Sequence, residues 1–230
     1  LSDSSTHTGA TLAGTGLLTF SSGTHALDAT TALSTANVTF SAGTTTIAGT
    51  YNVSGTSTFS GGSVTLPATI TSLGNALVIS GGTADLGSNN ASVTNFTQSG
   101  GTLTGSGTLT VAAGGSATIS GGTMRGTGST VLNSAATFGN FTSLSLDEGR
   151  TLTFNAGATF NNNSFSLNPA NSGNAAAGRL VNAASGTITD TGTSGSVFTA
   201  DQRARFGWTT ASERRRVASA PAVVCVLAVA

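Results

Sequence analysis

The sequence predicts an all-β fold, a parallel β-helix or solenoid with about 20 residues and three short strands in each coil. Three observations lead there. A six-residue phrase recurs at a nearly constant interval, large apolar residues return every six or seven positions, and Gly, Ser and Thr supply 105 of the 230 residues. A fixed period of this length marks architectures in which each unit buries its apolar face only by stacking on the next.

The phrase reads Thr19-Phe20-Ser21-Ser22-Gly23-Thr24, then Thr39-Phe40-Ser41-Ala42-Gly43-Thr44, Thr58-Phe59-Ser60-Gly61-Gly62-Ser63 and Val78-Ile79-Ser80-Gly81-Gly82-Thr83. It continues as Thr97-Gln98-Ser99-Gly100-Gly101-Thr102, Thr118-Ile119-Ser120-Gly121-Gly122-Thr123 and a degenerate Thr137-Phe138-Gly139-Asn140, in steps of 19 to 21 residues. Its Thr-Phe-Ser core alternates polar and apolar, the period of a strand with one face buried. Phe20, Phe40, Phe59, Ile79, Ile119 and Phe138 are therefore expected as an inward stack interrupted at Gln98, with Thr19, Thr39, Thr58, Val78, Thr97, Thr118 and Thr137 outward. Leu27, Leu33, Ile47, Val53, Leu66, Leu73, Leu86 and Val93 mark the other two strands of each coil. Six or seven residues hold a short strand and a turn but no helix, and Gly-Gly, Ser-Gly and Asn supply the turns.

After residue 140 the period blurs, although Thr151-Leu152-Thr153-Phe154, Ala158-Thr159-Phe160, Ser164-Phe165-Ser166-Leu167 and Gly186-Thr187-Ile188-Thr189 keep strand-sized alternation. Asn161–Asn163 reads as a turn and Asn168–Gly173 as a longer loop. Residues 1–200 thus form the repeat domain, irregular after 140, and residues 201–230 a basic and apolar tail expected to be poorly ordered. The tail nets +3 against −3 for the body, and it carries the sole cysteine, Cys225, so the body has neither a disulfide nor a thiolate metal site. Its apolar run from Val217 to Ala230 is too short to span a bilayer as a helix, so no membrane span is expected. The chain opens on Leu1 and reads as a processed chain or a fragment of a longer surface protein.

With 7% charged residues, no lysine and zero formal charge, a nucleic-acid partner of the usual electrostatic kind is excluded. A β-helix enzyme acting on polysaccharide needs carboxylates converging at i, i+2 or one coil apart. Asp3, Asp28, Asp85, Asp147, Glu148, Asp190, Asp201 and Glu213 contain no such pair, so the sequence reads as no enzyme, with no catalytic residues, no metal and no cofactor. Asp147, Glu148 and Arg150 read as a solvated turn. His7 and His25, 18 residues apart, are close to stacking but lack a matching carboxylate, and they read as exposed polar residues. Six Asn-x-Ser/Thr sequons match the chance expectation for so hydroxyl-rich a chain.

Phe96-Thr97-Gln98-Ser99-Gly100-Gly101-Thr102-Leu103-Thr104-Gly105-Ser106-Gly107-Thr108-Leu109-Thr110-Val111 and Ser120-Gly121-Gly122-Thr123-Met124 resemble repeats of bacterial autotransporter passengers and filamentous-haemagglutinin-like adhesins. The resemblance covers residues 9–200. It implies a right-handed β-helix, secreted or at the bacterial cell surface, acting as a stalk or an adhesive surface toward a host or environmental glycan or protein. Roughly ten coils at ~4.8 Å would make a rod of about 48 Å. A rival reading places an ice- or glycan-binding face on an outward Thr-x-Ser ladder: Thr19/Ser21, Thr39/Ser41, Thr58/Ser60, Thr97/Ser99 and Thr118/Ser120.

Overall fold

The alternation of inward and outward residues is carried into three parallel ladders. The computed structural model describes residues 1–66, 69–139, 143–160, 164–167, 178–183 and 188–190. These contain twenty strands and no helix, stacked in parallel about 20 residues apart as a β-solenoid of about eight turns. The tail 201–230, the turn at 161–163 and the loop at 168–173 lie outside the described residues.

Each coil crosses three faces. Face A stacks Ser5–His7, Thr24–Leu27, Thr44–Ile47, 63–65, 83–85, Thr102–Thr104, Gly122–Met124, Ser143–Leu146 and Ser164–Leu167. Face B includes 11–14, 32–35, 50–53, Thr69–Leu73, 109–111, Ser129–Leu132, Thr151–Phe154 and Arg179–Asn182. Face C stacks 17–20, 37–40, 56–59, 76–79, 95–98, 116–119, Ala136–Phe138, Ala158–Phe160 and Ile188–Asp190. Some strands turn a corner without breaking; Thr50–Thr65 runs across all three faces.

The core is a column between the faces. Phe20, Phe40, Phe59, Ile79, Gln98, Ile119, Phe138 and Phe160 are register partners in that order, and all are buried. Phe20 and Phe59 each lie 5.1 Å from Phe40, ring centroid to ring centroid, with interplanar angles of 14° and 24°. Farther along, Phe138 stacks on Phe160 at 4.2 Å, and Phe154 meets both edge-on. Every strand of face C also turns a second residue inward, two positions earlier: Val38, Ser57, Leu77, Phe96, Ala117 and Ala136 are all buried. Ser57 is tolerated there because its hydroxyl donates to the Leu73 carbonyl at 2.6 Å and pairs with the buried Tyr51 hydroxyl at 2.7 Å. Burial pushes the Tyr51 phenol well above its usual pKa.

Gln98 keeps its inward place in the column. Its Nε2 donates to the Thr123 carbonyl at 3.1 Å, while its buried Oε1 has no partner. The alignment survives the polar interruption, with only half of the amide satisfied.

The corner between faces C and A explains the second glycine of the phrase. Gly43 has φ +77°, and a Cβ there would lie 2.2 Å from the Gly23 carbonyl oxygen one coil below. Gly62 repeats the geometry over Gly43 at 2.4 Å. A side chain at either position would be strained by its backbone and would also hold two coils apart.

Between faces A and B, the corner after Leu27 is a turn built on Asp28. Its carboxylate accepts from the Thr30 hydroxyl and amide and from the Thr31 hydroxyl, at 2.8 to 3.0 Å, and at 3.3 Å from the Gly9 amide one coil away. These bonds, the Thr30 hydroxyl first, hold the Asp28 pKa below its usual value. A carboxyl whose pKa is lower in the folded state stabilises above its unfolded pKa and loses that stabilisation as pH falls through the folded value. Thermal melting of the full chain is therefore expected to weaken below about pH 4, and Asp28→Asn is expected to flatten that part of the acid limb. An identical acid limb in wild type and variant would show that the turn contributes nothing.

Candidate functional site

The rival Thr-x-Ser face places ten hydroxyls on one plane, and the register separates them into two environments. Thr19, Thr39, Thr58, Thr97 and Thr118 stand outward on face C in one column, with Val78 between Thr58 and Thr97. Their serine partners lie at the next corner. Ser21, Ser41, Ser99 and Ser120 each follow the last residue of a strand, and Ser60 sits at a register shift. Three of these hydroxyls turn back onto the coil below: Ser21 donates to the Leu1 carbonyl at 3.2 Å, Ser41 to Phe20 at 3.3 Å and Ser60 to Phe40 at 3.3 Å. The neighbours that do share the plane of the threonine column are two residues earlier, namely Leu17, Asn37, Thr56, Ala76, Asn95 and Ser116. That column is mixed, and Thr56/Thr58 is its one Thr-x-Thr pair.

A more regular array lies on face A. The last position of the recurring phrase, Thr24, Thr44, Ser63, Thr83, Thr102 and Thr123, forms an outward column through six consecutive coils in unbroken register. A second outward column, two residues on, holds Thr6, Ala26, Thr46, Thr65, Asp85 and Thr104. Among the described residues, no side-chain hydroxyl of either column has a protein partner. The Asp85 carboxylate is folded back and accepts from the Gly87 amide at 2.8 Å. Sequence reasoning centred on Thr-Phe-Ser overlooked this array, although every full copy of the phrase ends in a hydroxyl residue.

The histidines are not the exposed pair the sequence suggested. His7 stands over Leu27, while His25 pairs with Ser5 and is fully buried, edge-on to Phe20 at 5.1 Å. His25 Nε2 lies 2.7 Å from the Ser22 carbonyl, which can only accept, so the ring proton is on Nε2. Nδ1 is then free to accept from the Ser5 hydroxyl at 2.8 Å, and the Ser5 oxygen accepts from His7 Nε2 at 3.0 Å. The hydrogen-bonded chain runs from His7 through Ser5 and His25 to the Ser22 carbonyl, and it explains how the interior holds an imidazole. Its signal in the sequence is a polar pair one period apart, Ser5 and His25.

A second such pair is Thr130 and Arg150. The turn at Asp147, Glu148, Gly149 and Arg150 is present, with an Arg150 amide to Asp147 carbonyl bond of 3.0 Å and Glu148 at φ +55°. It is not solvated, because Asp147 is 2% exposed and Arg150 0%. The guanidinium runs inward and donates to the Gly105 carbonyl at 3.2 Å, the Ser129 carbonyl at 3.0 Å and the Thr130 hydroxyl at 2.9 Å. Removing it from water lowers its pKa to about 10, still far enough above neutrality to keep it a cation.

Asp28, Asp85 and Asp147 share the corner between faces A and B, separated by three coils each, or about 14 Å at ~4.8 Å per coil. That spacing is too wide for two carboxylates to act on one bond. Among the described residues no group of three or more His, Cys, Asp or Glu is placed to hold a metal ion, and no helix is long and apolar enough to cross a membrane. Compared with known proteins, the chain matches no family model, no curated protein and no solved structure.

Proposed function

We propose that this chain is a structural or adhesive module of a secreted or cell-surface bacterial protein, presenting long neutral faces to a host or environmental glycan or protein. The observation that carries the reading is the uninterrupted stacking: each coil is tied to the next by parallel ladders around one core column, apolar but for a few polar residues such as Gln98, which suits a stiff rod. Its resemblance to adhesin repeats points the same way. The reading assigns the chain no catalytic role.

Small-angle scattering from the full chain is expected to give an elongated particle, with about eight turns at ~4.8 Å contributing about 38 Å of length. Displayed on a non-adherent bacterium, the chain is expected to raise attachment to surfaces coated with glycan or protein. Elongation without any gain in attachment would reduce the reading to a stalk, and a compact particle would overturn it. The outward hydroxyl ladder remains the second reading, favoured by the free hydroxyls of face A.

A further inference from the structure

The two outward columns of face A form a regular array of hydroxyl residues whose hydrogen-bonding capacity the described protein groups leave unused. Successive coils repeat it at ~4.8 Å and the two columns stand ~6.7 Å apart, so the five coils that carry both columns, Thr24/Ala26 to Thr102/Thr104, present a strip roughly 19 Å long. Nine of its ten threonine and serine residues are threonine. Threonine is stiff about χ1, so a column of them in register holds methyl and hydroxyl groups in fixed directions before any ligand arrives. Preorganisation of this kind removes much of the entropic cost of binding.

Which ligand such a strip fits follows from what it lacks. Its one carboxylate, Asp85, is turned onto the Gly87 amide, and its one cation, Arg125, stands at the end of the second column beside Thr123, so the strip offers no cluster of charge to an ionic partner. Protein partners are held mainly by aromatic and arginine anchors, and the described Phe residues of the core column and Tyr51 are buried. Small molecules and single sugar chains are held in concave sites with converging polar groups, whereas here the hydroxyl residues stand outward on one face in unbroken register. What remains is a ligand that is itself a rigid, neutral, repeating array of hydrogen-bond donors and acceptors.

We propose that face A is an ice-binding plane, with Thr24, Thr44, Ser63, Thr83, Thr102 and Thr123 as its first column and Thr6, Thr46, Thr65 and Thr104 in its second. The hydroxyls hydrogen-bond to ordered surface water while the methyl groups exclude disordered water from between them. Ala26 and Asp85 are gaps in the second column, and Arg125 ends it beside Thr123. This goes beyond the adhesive reading, and it assigns the hydroxyl ladder to a different face from the Thr-x-Ser pairs.

The test uses the full chain. Wild-type protein is expected to become concentrated in a slowly grown ice hemisphere, to shape ice crystals and to show thermal hysteresis. Thr44→Lys combined with Thr102→Lys is expected to abolish all three while leaving the thermal melt unchanged, because both side chains point to solvent. Thr39→Lys combined with Thr97→Lys, on face C, is expected to leave them intact. Exclusion of the wild type from ice overturns the proposal, as does equal loss in both variants. Retention on cellulose or chitin particles without entry into ice would replace ice with a glycan lattice and also overturn it. Attachment to coated surfaces is scored separately, so either reading can fail while the other stands.

Discussion

Phe40→Asp is expected to abolish cooperative folding of the repeat region. Phe40 is 1% exposed and stacked between Phe20 and Phe59. Truncating a buried phenylalanine alone costs about 3–5 kcal/mol. The aspartate adds the burial of a carboxylate among aromatic rings, which either ionises without a partner or takes up a proton at further cost. The sum is comparable with the whole stability of an ordinary domain, roughly 5–15 kcal/mol. Thr39→Asp is the control, since its neighbouring side chain faces outward and a surface substitution usually changes stability by no more than about 0.5 kcal/mol. Urea unfolding followed by circular dichroism separates the two. An unchanged transition in Phe40→Asp with loss in Thr39→Asp would mean that the faces are exchanged, because a register slip of one residue swaps them.

The inward phenylalanines were legible because two signals coincide on them, the period of about 20 residues and the local alternation. Where only one signal operated, less was legible. Val38, Leu77 and Phe96 are core residues of the same strands, yet they lie outside the recurring phrase. Ser41 and its equivalents satisfy the alternation, but the corner begins at the serine, so alternation no longer assigns a face there. Turn glycines give the corner's existence and not its first residue. The face A hydroxyls were hidden differently: Thr24 and Thr44 closed the phrase on the far side of its glycine, and their shared plane with Ala26 and Thr46 emerges only when strand register is known. Polar residues carried into the interior were the least legible. Ser5 with His25 and Thr130 with Arg150 are each spaced by 20 residues, but a polar residue is read as exposed unless its partner one coil away is sought at the same time.

Arg150→Ala is expected to lower stability by about 3 kcal/mol, the second largest single effect. Three acceptors lose a donor at once, the Gly105 carbonyl keeping only the Gly128 amide at 3.1 Å, and they belong to successive coils: Gly105 lies two turns below Arg150, Ser129 and Thr130 one turn below. Buried acceptors left unpaired cost about 1–3 kcal/mol each in isolation. Opposing this, the variant no longer holds a desolvated cation, whose Nε has no partner and beside which no ion pair forms among the described residues. Breaking a buried charged network by removing one member is nonetheless strongly destabilising, whereas replacing it with apolar volume can be neutral. Arg150→Met decides between these contributions, because it fills much of the space but donates nothing. If the guanidinium acts by tying three coils together, Met is expected to recover only the packing part and to unfold at a urea concentration between those of Ala and wild type. A Met variant as stable as wild type would mean that Arg150 is a space-filling residue, and that the hydrogen bonds only offset the burial of its charge.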